Sequence, residues 1–437
     1  MARTPMTHVA LPLSDSAADQ RRRWLTSAAV FVFAALTLVV PSGYSLGPAI
    51  LLLAGCSLAV RRPRLALDTA DWRLMLALVT YTAVVVAGAL WHGQGMSTLD
   101  RPLRLWLALP ALLWVMAYPP RLGGVWAGLA LGAMGAGGFA LWQRGQGVAR
   151  ADGYMHAIQF GNISLLLGVF CLAGAGWAWQ QPHRRAWLWL LGLGAAGGLL
   201  ASLLSGSRGG WVGLPLVLWV LYRAYGKGFS PKARLLALMM VAALALAAYS
   251  LPQTGVKHRV AQAVDDIALY VSGEKVTTSV GSRFEMWQGA THLALEKPLM
   301  GWGERDYSAG MADMVERGIV HPSIKQFDHA HNQFLDTLAK QGIPGLAALL
   351  LLFGLPLRLF SRHLKDPDLT VRSLAAAGAL LCVAHIDFGL TQAGFNHNSG
   401  VMIYAFWLVI WWGILYRYRR AQRCAATAAS PARSPRP

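Results

Sequence analysis

Three short stretches carry side chains that can do chemistry at a membrane edge. In "FDHAHNQFLDTLAKQGIPG", Asp328, His329, His331 and Asn332 stand directly before an apolar run. His331 and Asn332 precede nine residues and then Gly342-Ile-Pro-Gly345. A histidine changes charge near neutral pH and is suited to taking a proton from a hydroxyl. The stretch "LLSGSRGGWVGL" places Arg208 among Gly206, Gly209 and Gly210, at the end of an apolar run away from the basic topology clusters. An arginine at membrane depth is expensive, and a functional candidate for that reason. In "GSRFEMWQGA", Ser282 and Glu285 read as a capping box, with Arg283 in the first turn of the helix they open. Free N–H groups at a helix start favour an anion, and a guanidinium adds a fork that fits phosphate.

Each of these residues has a plainer reading. Arg208 fits a snorkelling residue, Arg283 a surface arginine paired with Glu285, and His331 a lone structural histidine. His321, Asp328, His329 and His331 lie close enough in sequence to suggest zinc, but a third and fourth ligand at a defined spacing is not evident. No metal and no cofactor is therefore expected. Asp328, Asp336 and Asp387 are candidates to orient His331. Asp387 lies inside the apolar run "AHIDFGLTQAGFNHN", where an acid needs a partner. Tyr307, Trp287 and Trp302 are placed to stack on sugar rings or to serve as interfacial belt residues.

The elements that must position these residues are membrane helices. The 437 residues are 55% hydrophobic and 14% charged, with a mean hydropathy of +0.42. Soluble domains carry about 25% charged residues. Apolar runs are expected near 24–41, 44–60, 71–91, 102–118, 122–142, 157–179, 186–204, 210–224, 234–250, 342–360, 372–391 and 400–416. The net charge of +19 is dispersed in clusters such as Arg21–Arg23, Arg61–Arg64 and Arg184–Arg185, between those runs. That placement is the positive-inside pattern, with both termini cytoplasmic, and it argues against a nucleic-acid partner. The first run reads as a permanent helix rather than a signal peptide. Cys56, Cys171, Cys382 and Cys424 have no disulfide or thiolate-site spacing.

Four parts are expected: helices in 1–250, a large extracytoplasmic segment in 251–341, three more helices in 342–416, and a basic tail in 417–437. Leu251 to Ala330 holds eight Lys and Arg against ten Asp and Glu, which is half of the protein's acids. Within it, Val260, Val264, Ile267 and Val271 share one helical face, as in an amphipathic helix on a cap or membrane surface.

The ordered motifs resemble the bacterial O-antigen ligases and their polymerase relatives. "HNQFLDTLAKQGIPG" is similar to that family's His-Asn, nine residues, Gly-x-x-Gly signature, and "SGSRGGWVG" and "GSRFEMWQGA" are similar to its two arginine motifs. The resemblance covers about 185–360 in motifs and the whole chain in topology. It implies an all-α polytopic membrane enzyme, GT-C-like, with about twelve spans and a helical periplasmic cap, in the bacterial inner membrane. It further implies a glycosyltransferase of lipopolysaccharide biosynthesis, acting on an undecaprenyl diphosphate-linked O-antigen donor and a lipid A-core acceptor. In that family the arginines match Arg208 and Arg283, and the essential histidine matches His331. Asn332, Asp328, Asp387, Tyr307 and Trp287 are then supporting candidates. O-antigen polymerase and protein oligosaccharyltransferase are the alternatives within the superfamily. A secondary transporter is the rival outside it, but the two halves show no internal similarity.

Overall fold

The computed structural model describes residues 16–63, 65–207, 209–228, 230–251 and 255–429. The chain runs through helices α1 (Ala17–Leu36), α2 (Gly43–Cys56), α3 (Leu58–Arg61), α4 (Thr69–Trp91), α5 (Asp100–Ala117), α6 (Leu122–Gly145), α7 (Ala157–Ala173), α8 (Ala175–Trp179) and α9 (Arg184–Ser205). It continues through α10 (Leu214–Tyr225), α11 (Pro231–Ser250), α12 (Val256–Val271), α13 (Gly281–Glu296), α14 (Gly303–Glu316), α15 (Gln333–Ser361), α16 (Leu369–Thr391) and α17 (Asn398–Ala429). Among the described residues there is no strand.

Helices occur at all twelve expected positions, but among the described residues eight segments combine the length and apolarity to cross a bilayer. Three of the other four differ for visible reasons. Helix α10 has 12 residues, roughly 18 Å of rise against a hydrocarbon core of about 30 Å. Helix α5 opens with Asp100, Arg101 and Arg104, and α1 carries Arg21–Arg23. Helix α11 lies among segments where several side chains are outside the description.

Helix α17 is the hub. From Val401 to Tyr416 its side chains are buried, and a helix apolar on every face is stable only when surrounded. Trp407 and Trp411 stack at 5.1 Å between ring centres, and Trp126 of α6 stacks on Trp411 at the same spacing. Phe170 of α7 meets both tryptophans edge-on. At one end Arg419 bonds to Asp68 and Asp71, tying α17 to the N-terminus of α4.

A second, smaller core forms outside this bundle. Met286, Ala290 and Leu293 of α13 pack with Tyr307, Met311 and Met314 of α14, with Ile324, and with Ala339 of α15. The first turns of α15 therefore belong to this unit, and the expected boundary near 341 falls inside one helix. The two halves of α15 meet at Gly342, whose φ of 66° is left-handed. A Cβ there would collide with the carbonyls of Leu299 and Pro298, so only glycine lets that linker dock. Helix α12 does present Val260, Val264, Ile267 and Val271 outward, and all four are exposed.

The start of α13 corrects the sequence reading. The helix begins at Gly281 with Val280 as its N-cap, whose side chain makes no capping bond, and Ser282 lies within the first turn. Thr278 takes the capping part by accepting from the Gly281 N–H at 3.1 Å. Glu285 is buried and accepts from the Tyr270 hydroxyl at 2.9 Å and the His321 N–H at 2.6 Å. It ties α12 and the 321 turn to α13, and capping is left to Thr278.

Candidate active site

The site is built where α15, α16 and the turn before α17 converge. Asn332 is the N-cap of α15, accepting from the Phe334 and Leu335 N–H groups at 3.0 and 3.1 Å. Its amide donates to the Leu390 carbonyl at 3.2 Å, which fastens α15 to the end of α16. His331 precedes it with φ 48°, a left-handed backbone that costs a non-glycine residue about 1–3 kcal/mol. Such strain persists only where neighbours hold it, and here the ring is held.

His331 Nδ1 lies 2.6 Å from Gln392 Oε1. An amide oxygen only accepts, so Nδ1 carries the proton and Nε2 the lone pair. The Gln392 amide in turn donates to His397 Nε2 at 3.0 Å. Phe327 meets the His331 ring edge-on at 5.7 Å, and His329 lies 4.2 Å away, ring centre to ring centre. Burial and the nearby His329 charge push His331 down to about 4, with Arg283 and His156 adding to the fall and the Gln392 bond opposing it. Burial, His329 and His156 bring His397 down to about 4 as well. Both rings are thus neutral at physiological pH.

None of the three expected carboxylates orients His331. Asp328 bonds to His329 at 2.6 Å. Burial works against its charge, yet the His329 bond and charge hold the carboxyl below its ordinary value. Asp336 accepts from the Ala330 N–H at 3.0 Å and pairs with Lys340 at 3.2 Å. Asp387 is buried beside Gly213, at the start of α10, where a Cβ on that glycine would collide with the carboxyl. It packs under the turn that follows position 208.

The cationic side is clearer in part. Arg283 is the third residue of α13, close enough for its charge to depress His331. Arg208 lies outside the described residues. Its flanks are described: Arg150 donates to the Ser205 carbonyl at 2.9 Å and Arg259 to the Gly206 carbonyl at 3.4 Å. Burial and the Arg259 charge lower Arg150, so these guanidiniums gather against mutual repulsion. Burial and Arg150 lower His156 likewise.

The aromatic candidates are occupied with packing. Tyr307 is wholly buried, with Lys340 Nζ 4.9 Å above its ring. Trp287 is half-buried against Phe284 at 5.7 Å, and Trp302 donates to the Leu293 carbonyl at 2.9 Å beneath Lys297. Among the described residues, no group of three or more His, Cys, Asp or Glu is arranged to hold a metal ion.

Residues 193–350 match the family model described as O-antigen ligase. That stretch, about a third of the chain, is similar to the O-antigen ligase domain. A Haemophilus influenzae protein described as uncharacterized is 28% identical over 385 residues, which is 86% of this chain and 94% of that protein. The matched domain holds positions 208, 283, 331, 332, 342 and 345. Gln392, His397, Arg150 and His156 lie outside it, and the sequence reading passed them over. The signal was present for two of them, since Gln392 and His397 are polar residues crowded behind the apolar run of α16.

Proposed function

We propose that the protein is an O-antigen ligase, transferring a polysaccharide from undecaprenyl diphosphate to a hydroxyl of a lipid A-core acceptor. The arrangement around His331 carries this reading: its Nδ1 is tied to Gln392, which leaves Nε2 as a fixed lone pair within reach of the Arg283 field.

In the reaction a glycosidic C–O bond to the diphosphate breaks while the acceptor oxygen bonds to the same carbon from the opposite face, inverting it. His331 Nε2 takes the acceptor proton, and the diphosphate leaves with the bond electrons. Arg283 and Arg208 hold that developing charge with planar forks that never deprotonate. A base near pH 4 is weak for this task, but the bound diphosphate brings negative charge beside the imidazole. That charge offsets Arg283 and His329 and raises the ring toward neutrality in the complex. Asn332 and Gln392 position the imidazole, while Asp387 supports the turn after position 208. Asp328 holds His329 and is not the orienter of His331.

The reading places segment 251–341 and the site on the periplasmic face of the inner membrane, with cytoplasmic termini. The donor's isoprenoid tail lies in the lipid beside the bundle. Transfer is metal-independent, because the guanidiniums supply the charge that the leaving group needs.

Purified protein, lipid-linked donor and lipid A-core test this together. His331→Ala is expected to lose about 10²–10⁴ in rate, His329→Ala to retain most of it, and EDTA to change nothing. Near-normal turnover by His331→Ala, or silencing by EDTA with rescue by zinc, overturns the mechanism. Donor chains joined to one another rather than to core would make the enzyme a polymerase.

A further inference from the structure

A cavity lies along the first turns of α15, lined there by Gln333, Asp336, Thr337, Lys340 and Gln341. It has a volume of about 220 Å³, room for several waters at about 30 Å³ each. Gln94, Ser97 and Thr98 of the loop after α4 line it, and His92 at the start of that loop lies 3.2 Å from the Met300 carbonyl. The lining includes Tyr81 and Phe395, their ring centres 5.8 Å apart. In the same lining Lys340 stands 3.2 Å from both Asp336 and Glu304, and Arg101 lies 3.8 Å from Glu304.

Two features define what fits. The lining carries two cations and two carboxylates, so its charge is balanced, unlike the arginine-rich side of His331. A phosphate gains no net attraction there, whereas a neutral polar molecule does. Moreover, Gln94 and Gln341 line the cavity, and among the described residues the Gln94 amide nitrogen and the Gln341 amide oxygen have no hydrogen-bond partner. One is an unmade donor and the other an unmade acceptor, each costly to leave so. Sugar hydroxyls answer each need, since a hydroxyl both donates and accepts. The aromatic rings in the same lining suit the C–H face of a pyranose.

We propose that this cavity is a carbohydrate subsite that seats a sugar ring of the acceptor glycan beside the reacting hydroxyl. This rests on the transferase reading above. The wall is coupled to the reacting centre: Asn396 donates to Asp336 at 3.1 Å, and the next residue, His397, receives the Gln392 bond. A ring bound here therefore lies against the chain of contacts that ends at His331. The leaving diphosphate occupies the cationic side and the acceptor sugar the neutral side.

Gln94→Ala and Gln341→Leu probe the wall without touching the buried Lys340 cluster. The binding of delipidated core oligosaccharide to purified protein, followed by calorimetry, needs no turnover and stands even if the transferase reading fails. Each variant is expected to weaken that binding about five- to tenfold, the worth of one hydrogen bond. In transfer assays the acceptor KM should rise by the same factor, with kcat and the donor KM steady. Melting temperatures within error of wild type show that the fold is kept. Unchanged oligosaccharide binding in both variants overturns the subsite. A rise in donor KM alone overturns the assignment to the acceptor, because the ring seated there then belongs to the donor.

Discussion

Gln392→Glu puts a carboxylate where the amide oxygen now accepts from His331 Nδ1 at 2.6 Å. The new charge lies roughly 4 Å from the centre of the imidazolium charge. At an effective dielectric of about 20 such a pair is worth about 4 kcal/mol, or about three pKa units at 1.36 kcal/mol each. The new carboxylate loses hydration in this buried position, and that cost takes back part of the gain, leaving a rise of about one to three units. In the wild type His331 titrates at about 4, so the neutral, proton-accepting form prevails above that pH. Activity is lost only as pH falls through about 4. In the variant the same loss should begin between about pH 5 and 7. The assay is kcat/KM against pH with purified protein, since that ratio reports the free enzyme. The wild-type kcat profile should break at a higher pH than its kcat/KM profile, because the bound diphosphate raises the same group. A wild-type kcat/KM limb near about 6.5, the value of free imidazole, would refute the burial argument. A variant limb superimposed on the wild type would refute the Gln392 contact.

Arg283→Ala and Arg208→Ala should each abolish visible transfer, and lysine should restore little because it lacks the fork; wild-type rates in both alanine variants, measured by gel mobility of the lipopolysaccharide product, would remove the phosphate clamp. Single cysteines at Ser272 and Ser323, in a background with the four native cysteines replaced, should react with an impermeant thiol reagent in intact spheroplasts. Labelling only after lysis would invert the proposed topology. Gly342→Ala should lower the melting temperature of the purified protein, since the φ of 66° alone costs an L-residue about 1–2 kcal/mol before the clash with the Leu299 carbonyl is counted; an unchanged melting temperature would show that the α15 kink is dispensable.

The helices were legible because hydrocarbon thickness and hydropathy leave few alternatives, and each expected run lies on a helix. Their ends were less so: α15 begins at Gln333 rather than near 342, because Asn332 caps it and the chain bends at Gly342 without stopping. The motif residues His331, Asn332 and Gly342 could be picked out by spacing. Their partners could not, since Gln392 lies 61 positions from His331 and meets it only when α16 packs on α15. The expectation of a carboxylate beside the histidine failed for a related reason. Each nearby acid already had a closer claim on it: Asp328 by His329, Asp336 by Lys340, and Asp387 by the turn at Gly213. Ser282 and Glu285 show the same limit at short range, where a capping pattern was present but Thr278 and the buried contacts of Glu285 decided the geometry.

The nine residues between Asn332 and Gly342 then have a mechanical meaning. They form about two and a half helical turns, roughly 14 Å, with the strained histidine at one end and the kink at the other. At the kink the Ile343 N–H donates to the Pro298 carbonyl at 2.8 Å, and one turn earlier the Ala339 carbonyl accepts from the Trp302 N–H at 2.9 Å. Pro298 and Trp302 belong to the linker between α13 and α14, so this docking fixes the C-terminal end of α13. Its N-terminal part is fixed separately by Glu285, bonded to Tyr270 and to the His321 main chain. A helix held near both ends cannot slide, and Arg283 rides on it. The spacing acts as a ruler between the imidazole and the helix that carries the guanidinium, so one residue more or less would turn the kink about 100° around the α15 axis. The Pro298 linker would then face the wrong side, and Arg283 would leave His331 with both side chains intact.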